Sequence, residues 1–260
     1  MDIKTSNVLF LDGKYEQAAN AYYEAALEGD AEAAFNYGYC KLFGIGTERD
    51  EREAKSFFTY AKELPGGEAA YNLAVMHLHG VGVKRDYKKV YSYMHDAAVL
   101  GSIEAQLYLG IAHTLGSLFE PDIIAISRIP FHTPIYRQEG NLLGGYAEPD
   151  EEDEELRQSA VRFDPVSAFE WFGIAARHDA TYVEELSGKG KFLYARCFAD
   201  GLGTEFNRDR ANRLMLLAAK DGSEEAMVYL RTEAPYVLEA LDNDELLATI
   251  RKTERILPPA

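Results

Sequence analysis

Apolar residues recur along this chain at intervals of three and four, with polar residues between them. Two segments show the spacing clearly: Ala54, Phe57, Phe58 and Ala61, then Val90, Tyr93, Met94 and Ala97. This interval places the apolar side chains on one face of an α-helix. The β-branched residues are scattered and never alternate over the length of a strand. The pattern therefore predicts an all-α protein.

The helical pattern repeats with a period of 36 residues. The segment AAFNYGYCKLFGIGTERD, residues 33–50, aligns with AAYNLAVMHLHGVGVKRD, residues 69–86, in both alanines, the Asn, the Gly-x-Gly pair and the closing Arg-Asp. Residues 105–116 and 190–203 supply two more copies of the pattern, and a divergent fifth copy lies at the N-terminus. A fixed period of this length indicates a repeat architecture.

Each copy predicts a first helix A, a glycine turn and a second helix B. Gly29, Gly101 and Gly222 are expected to end B helices as C-caps. Neither helix can bury its apolar face alone, so neighbouring hairpins must stack into a solenoid. Helix A carries a column of small residues that lets the two helices approach closely: Gly38, Ala74, Gly110 and Ala195.

These columns together resemble the Sel-one-like repeat, a relative of the tetratricopeptide repeat. The resemblance covers roughly residues 5 to 230 and implies a right-handed α/α superhelix whose members serve mainly as adaptors and scaffolds. Secreted bacterial members carry a disulfide between the two helices of each repeat. This chain has only Cys40 and Cys197, which are expected to be free, buried thiols.

We expect a single repeat domain over residues 1–260. It divides into a divergent first repeat, three repeats of which one is interrupted, a further repeat and C-terminal capping helices: 1–30, 31–67, 68–102, 103–180, 181–222 and 223–260. The capping helix is expected near residues 243–255, with Glu245, Arg251, Lys252 and Glu254 facing water.

The third repeat is interrupted by a long insertion, residues 117–164. Its first part is rich in Ile, Phe, Tyr and Pro, which favours packing against another surface. Its second part, Glu148 to Glu155, is an acidic run that lacks the spacing of a calcium loop and is expected to be a solvated linker. Loops of this length are usually functional or disordered.

Charge and composition narrow the choice of partners and compartment. The chain carries 27 Lys and Arg against 43 Asp and Glu, a net charge of −16, which disfavours nucleic acid and anionic membranes. The first residues, Met1 to Thr5, show neither a basic leader nor an apolar run of signal-peptide length, and no stretch approaches the roughly 18 apolar residues of a membrane span. We therefore expect a cytoplasmic protein.

No constellation of catalytic or cofactor-binding residues stands out. His77 and His113 occupy one repeat column, which favours packing over shared metal ligation. The Gly-x-Gly turns follow helices rather than strands, so they do not indicate a dinucleotide site. A pairing of Cys197 with His178 has no supporting motif, and Trp171 is expected in the core. We expect no cofactor and no metal.

By resemblance to tetratricopeptide-like superhelices, the A helices line a concave wall. The predicted partner-binding residues are three columns on these helices: Phe35, Tyr39, Phe43, Tyr71, Val75, His79, Leu107, Ile111, Phe192 and Arg196. Aromatic and Arg residues are the usual anchors of an interface, and Arg196 is the basic one here. Two alternatives remain: Phe35, Tyr71 and Phe192 pack between repeats, or the insertion occupies the groove.

The first hypothesis for function is a protein-interaction scaffold without catalytic activity. The alternative is an enzyme or small-molecule binder with its site in the insertion, motivated by the clustering of His132, Tyr136, Arg137 and Glu139. In the scaffold hypothesis, the acidic run from Glu148 to Glu155 competes for Arg196 and makes binding autoinhibited. The sequence leaves the partner and the oligomeric state open.

Overall fold

A computed structural model describes residues 3–64, 69–118, 151–178 and 184–254. All secondary structure in these ranges is helical, which confirms the predicted all-α class. The chain divides into two compact units, which we describe one at a time. The single domain expected for residues 1–260 stays a prediction.

The first unit contains three helical hairpins and one extra helix from the insertion. Its helices are α1 (Ile3–Leu11), α2 (Tyr15–Leu27), α3 (Ala31–Phe43), α4 (Glu51–Glu63), α5 (Ala70–His79), α6 (Tyr87–Val99) and α8 (Glu151–Ala160). The pairs α1–α2, α3–α4 and α5–α6 pack as hairpins, and α8 packs against α6. Arg157 of α8 lies over the ring of Tyr87, 5.5 Å from its centre.

The second unit begins with the A helix of the interrupted repeat. Its helices are α7 (Ile103–Leu115), α9 (Pro165–Ala175), α10 (Glu184–Asp200), α11 (Arg208–Lys220), α12 (Glu224–Thr232), α13 (Pro235–Leu238), a 3₁₀ turn (Glu239–Asp242) and α14 (Asp244–Thr253). Helix α7 packs on α9, so the hairpin forms across the insertion. The B helix begins at Pro165, where the sequence ended the insertion at residue 164.

The first glycine of each turn ends an A helix. Gly44, Gly80 and Gly116 are C-caps with φ of 68°, 74° and 69°, in the left-handed region where glycine is strongly preferred. Each B helix that follows starts from a side-chain cap, such as Asp50 Oδ1, which accepts from the amides of Arg52 and Glu53. These features confirm the predicted helix–turn–helix unit.

The second glycine of the turn packs directly on the preceding B helix. A Cβ on Gly46 would lie 2.0 Å from the carbonyl oxygen of Tyr15, and one on Gly203 would lie 1.9 Å from that of Pro165. Tyr15 and Pro165 are each the first residue of a B helix. The column is therefore glycine because the turn backbone touches the helix start of the neighbouring repeat. In the interrupted repeat, Ser117 follows Gly116 and Leu118 replaces this glycine.

The column of small residues allows the two helices of a hairpin to approach, as predicted. A Cβ on Gly38 would lie 3.0 Å from the Phe58 ring, and one on Gly110 would lie 2.4 Å from the Phe172 ring. Ala74 and Ala195 are fully buried in the same column. The core position on this B helix is Phe172, which is buried, whereas the neighbouring Trp171 is only half-buried. Placing Trp171 in the core was therefore wrong by one position.

Two further expectations are corrected. The acidic run was expected to be a linker, but from Glu151 onward it belongs to helix α8, with Glu154 and Glu155 exposed. Glu254 was expected to face water, but it is buried and accepts from Arg210 at 2.9 Å and from Arg213 at 2.6 Å. The two arginines compensate the negative charge of Glu254, and these ion pairs hold the end of α14 against α11.

Candidate functional site

In the first unit, the predicted wall is mostly buried. Phe35 packs against the Phe58 ring of its own hairpin, and the rings of Tyr39 and Phe43 lie 4.6 Å apart. Phe43 is half-buried, whereas the other five predicted residues are buried: Phe35, Tyr39, Tyr71, Val75 and His79. The contact of Phe35 with Phe58 lies within one hairpin, so packing of Phe35 and Tyr71 between neighbouring repeats also stays a prediction. A partner role for these side chains stays a prediction.

In the second unit, the predicted residues are more accessible toward the C-terminus. Leu107 is buried, Ile111 and Phe192 are half-buried and pack against the core, and Arg196 is exposed. Of the ten predicted residues, Arg196 alone is exposed. Its side chain is therefore the most accessible of the ten to an incoming partner.

Arg196 lines a pocket of about 290 Å³ between α10 and α12. The lining residues are Arg196, Ala199, Asp200, Phe206, Arg208, Tyr229 and Glu233. Arg196 Nε donates to Asp200 Oδ2 at 2.9 Å, and Arg208 Nη2 donates to the Glu233 backbone oxygen at 3.2 Å. The volume lies near the lower end of the range for ligand pockets and suits one side chain of a partner.

The pocket combines balanced charge with aromatic surface. Two arginines face two carboxylates, so its net charge is about zero. Phe206 is 66% exposed, so its ring is accessible to an incoming side chain. Burial raises the pKa of Tyr229, while the nearby Arg208 partly offsets this shift. The phenol therefore stays neutral and offers a hydrogen bond beside an apolar ring.

Sequence reasoning missed the aromatic half of this pocket. A signal existed: GSIEAQLYL, residues 101–109, aligns with GSEEAMVYL, residues 222–230. That alignment places Tyr229 in the column of Tyr108 and Val228 in the column of Leu107. Val228 is 57% exposed, whereas Leu107 is buried. The column of predicted wall residues therefore continues onto α12, where it is open to solvent.

The histidines considered as ligands or catalytic partners each contact other residues of the fold. His77 stacks on Tyr93 with ring centres 5.7 Å apart, and burial lowers the pKa of His77. His113 Nδ1 lies 3.2 Å from the Arg162 carbonyl oxygen, and His178 Nε2 lies 3.0 Å from Gln106 Oε1. Across the described ranges, no group of three or more His, Cys, Asp or Glu is arranged to hold a metal ion.

Both cysteines are free and fully buried. Burial raises the pKa of the Cys40 and Cys197 thiols to about 12, so neither is a thiolate at neutral pH. Their interpretation as small apolar core residues agrees with this environment.

Some predicted features lie outside the described residues. They are the apolar part of the insertion, the alternative site of His132, Tyr136, Arg137 and Glu139, and the acidic run before Glu151. Among the helices that the structure describes, none combines the length and the apolar character that crossing a membrane requires.

Two solved structures resemble this chain in fold. A Sel1 repeat protein from Oxalobacter formigenes matches with a TM-score of 0.59 and 20% identity over 93% of this chain and 88% of its own. A protective antigen of uropathogenic Escherichia coli with an SLR fold matches with a TM-score of 0.62 and 18% identity. That match covers 96% of this chain and 47% of the antigen. Identities this low establish the shared fold only.

Comparison of the sequence with protein families also indicates Sel1 repeats. Among curated proteins, none matches this chain significantly. A model of the Sel1 repeat matches four segments, residues 31–65, 67–102, 158–179 and 189–223. The third match covers α9, the B helix after the insertion, and each of the other three covers most or all of an A helix and the B helix that follows it. The chain therefore belongs to the Sel1 repeat family, whose members are generally protein-interaction scaffolds.

Proposed function

We propose that this chain is a non-catalytic scaffold that binds a segment of another protein at the Arg196 pocket. The observation that carries the proposal is the exposed Phe206 beside the half-buried Tyr229 and the paired Arg196. Aromatic and Arg side chains next to a small pocket are typical of interface anchors. The proposal includes a cytoplasmic location, as expected from the sequence.

The chemistry of the pocket favours a segment with an apolar side chain and few charges. Arg196 already shares its guanidinium with Asp200, and both side chains remain about half exposed. A partner carbonyl can accept from the remaining N–H groups of Arg196 without breaking this ion pair. A carboxylate would be repelled by Asp200. Contact with the Phe206 ring would supply apolar burial.

Site-specific photo-crosslinking tests this proposal. A benzophenone amino acid replaces Phe206 in the full chain, and the matched control carries it at Phe163, which is similarly exposed at 61% in the same unit. We expect an adduct from native cells at position 206 but not at 163. The adduct should disappear when Tyr229→Ala or Arg196→Ala is added, and Arg196→Lys should retain part of it.

Three results would contradict the proposal. An adduct of equal yield at both positions would indicate nonspecific contact. An adduct at 206 that survives both alanine substitutions would show that the pocket is not the binding site. The absence of any adduct at 206 in cells that express the protein would also overturn it.

A further inference from the structure

A second pocket, in the first unit, forms where a glycine turn meets the preceding B helix. Gly82 lies so close to the first residue of α4 that a Cβ would be 2.7 Å from the Glu51 carbonyl oxygen. The open pocket beside this contact has a volume of about 720 Å³. It is lined by Arg49, Asp50, Glu51, Arg52, Gly80, Gly82, Val83 and Lys84.

The acidic side chains in this pocket are already engaged. Asp50 caps α4 by accepting from two backbone amides, and Glu51 pairs with Arg49. Arg52 and Lys84 are exposed and have no ion-pair partner within the described part of the chain. Three cations and two carboxylates therefore give the lining a net positive charge, with one unpaired cation from α4 and one from the turn.

Two backbone amides of the turn also have no acceptor within the described ranges. Gly80 and Val81 donate to the carbonyl of Met76 and complete the helix C-cap. The amides of the next two residues, Gly82 and Val83, donate to no atom of the described ranges. Two adjacent free amides can bind a carbonyl or carboxylate oxygen.

The fold does not impose this charge. The same close contact occurs at Gly46 on Tyr15 and at Gly203 on Pro165. The positions equivalent to Arg52 and Lys84 are Glu16 and Glu48 in the first case, and Val166 and Glu205 in the second. The pair of cations is thus a property of this one turn, within a chain whose net charge is −16.

We propose that this pocket binds an acidic segment of a partner protein. Two carboxylates of the segment pair with Arg52 and Lys84, and a backbone oxygen accepts from Gly82 or Val83. The overall negative charge disfavours extended polyanions such as nucleic acid, so a short acidic stretch is the better fit. The inference rests on the proposed function only in taking the partner to be a protein.

Fluorescence anisotropy with a short labelled polyglutamate peptide tests this pocket in the full chain. At low ionic strength, we expect Arg52→Glu with Lys84→Glu to weaken binding by at least about tenfold, since two charge-assisted contacts are lost. Lys4→Glu with Arg231→Glu makes the same change in net charge at exposed positions elsewhere and should leave affinity nearly unchanged. Arg52→Lys with Lys84→Arg should retain binding.

Each other outcome overturns the inference. Polyglutamate that fails to bind, or that binds equally to both charge-reversed proteins, shows that the pocket is not its site. Binding of pyrophosphate without polyglutamate shows a phosphate site instead. Because the crosslinking site at Phe206 lies in the second unit, its result does not depend on any of these outcomes.

Discussion

The turns at Gly80–Lys84 and Gly201–Glu205 share a backbone arrangement and differ in chemistry. In each, the first glycine has a positive φ, and the second touches the first residue of a B helix. The first turn faces Arg52 and carries Lys84, whereas the second faces Val166 and carries Glu205. The glycine columns therefore fix the architecture, and the positions between them are free to carry binding chemistry.

The residues around the second turn are more apolar than those around the first. Phe206 occupies the column of Arg85 and lines the pocket with Tyr229, where the charges balance. Binding at the first turn should consequently weaken as salt rises, while binding at Phe206 should depend little on salt.

Among substitutions in the glycine columns, Gly203→Ala should have the largest effect, because the added Cβ would lie 1.9 Å from the Pro165 carbonyl oxygen at a φ of +69°. We expect the free energy of unfolding to fall by at least about 3 kcal/mol, measured by urea denaturation. The control is Gly222→Ala, which has a φ of +87° but open space around the Cβ and should cost about 1 kcal/mol.

Gly82→Ala extends the comparison to the first unit, since its Cβ would lie 2.7 Å from the Glu51 oxygen. Its loss of stability should fall between those of the other two substitutions. Equal losses in all three would show that φ alone, and not contact with the B helix, explains the glycine column.

Gly110→Ala should come next, because its Cβ would lie 2.4 Å from the Phe172 ring. Overpacking of this kind costs about 1 to 3 kcal/mol. The chain contains its own compensation: repeats with Ala in the small column carry Met at the Phe172 position, as in Ala74 with Met94. Adding Phe172→Met should therefore recover much of the loss in a double-mutant cycle. Additive losses would contradict this coupling.

Much of this fold could be predicted from the sequence, because the repeat period aligns residues that share one environment. Gly38 and Gly110 were identified as close-packing positions, and each copy was predicted to contain a glycine turn between its two helices. Period alone does not fix the rotation of a helix about its axis. For this reason Trp171 was placed in the core, although the next residue, Phe172, is the buried one.

The repeat pattern in the sequence does not predict contacts between residues that lie far apart in the chain. The burial of Glu254 depends on Arg210 and Arg213, which lie 44 and 41 residues earlier. The pocket at Arg196 depends on Tyr229, which belongs to the next A helix rather than to the same repeat. Repeat columns indicate equivalent positions, but they do not show which neighbouring element covers each of them.

Protonation of the α9 cap should have a moderate, local effect. Hydrogen bonds from the Ser167 side chain and then its amide lower the pKa of Asp164 below its usual value. A lowered folded pKa means that the stabilisation is present above the usual carboxyl pKa of about 4 and is lost as pH falls through the folded pKa.

Hydrogen exchange of the α9 amides measures this effect. Exchange, corrected for its intrinsic pH dependence, should accelerate as pH falls from about 5 to about 3. Asp164→Asn keeps a capping oxygen without a titrating group and should remove most of that acceleration. An equal acceleration in the Asn variant would assign the effect to other carboxyl groups.

Charge changes at the two pockets should have the smallest effect on stability. Arg196 and Asp200 are 46% and 49% exposed, and Lys84 has no ion-pair partner in the described ranges. Arg196→Ala and Lys84→Glu should each change the free energy of unfolding by less than about 0.5 kcal/mol.

The contrast is Lys191→Ala, because Lys191 and Asp221 are 9% and 5% exposed and lie 2.9 Å apart. Removing one partner of such a buried pair costs about 3 to 5 kcal/mol. If Arg196→Ala were as destabilising as Lys191→Ala, that arginine would be part of the fold, and lost crosslinking at Phe206 would no longer identify a binding site.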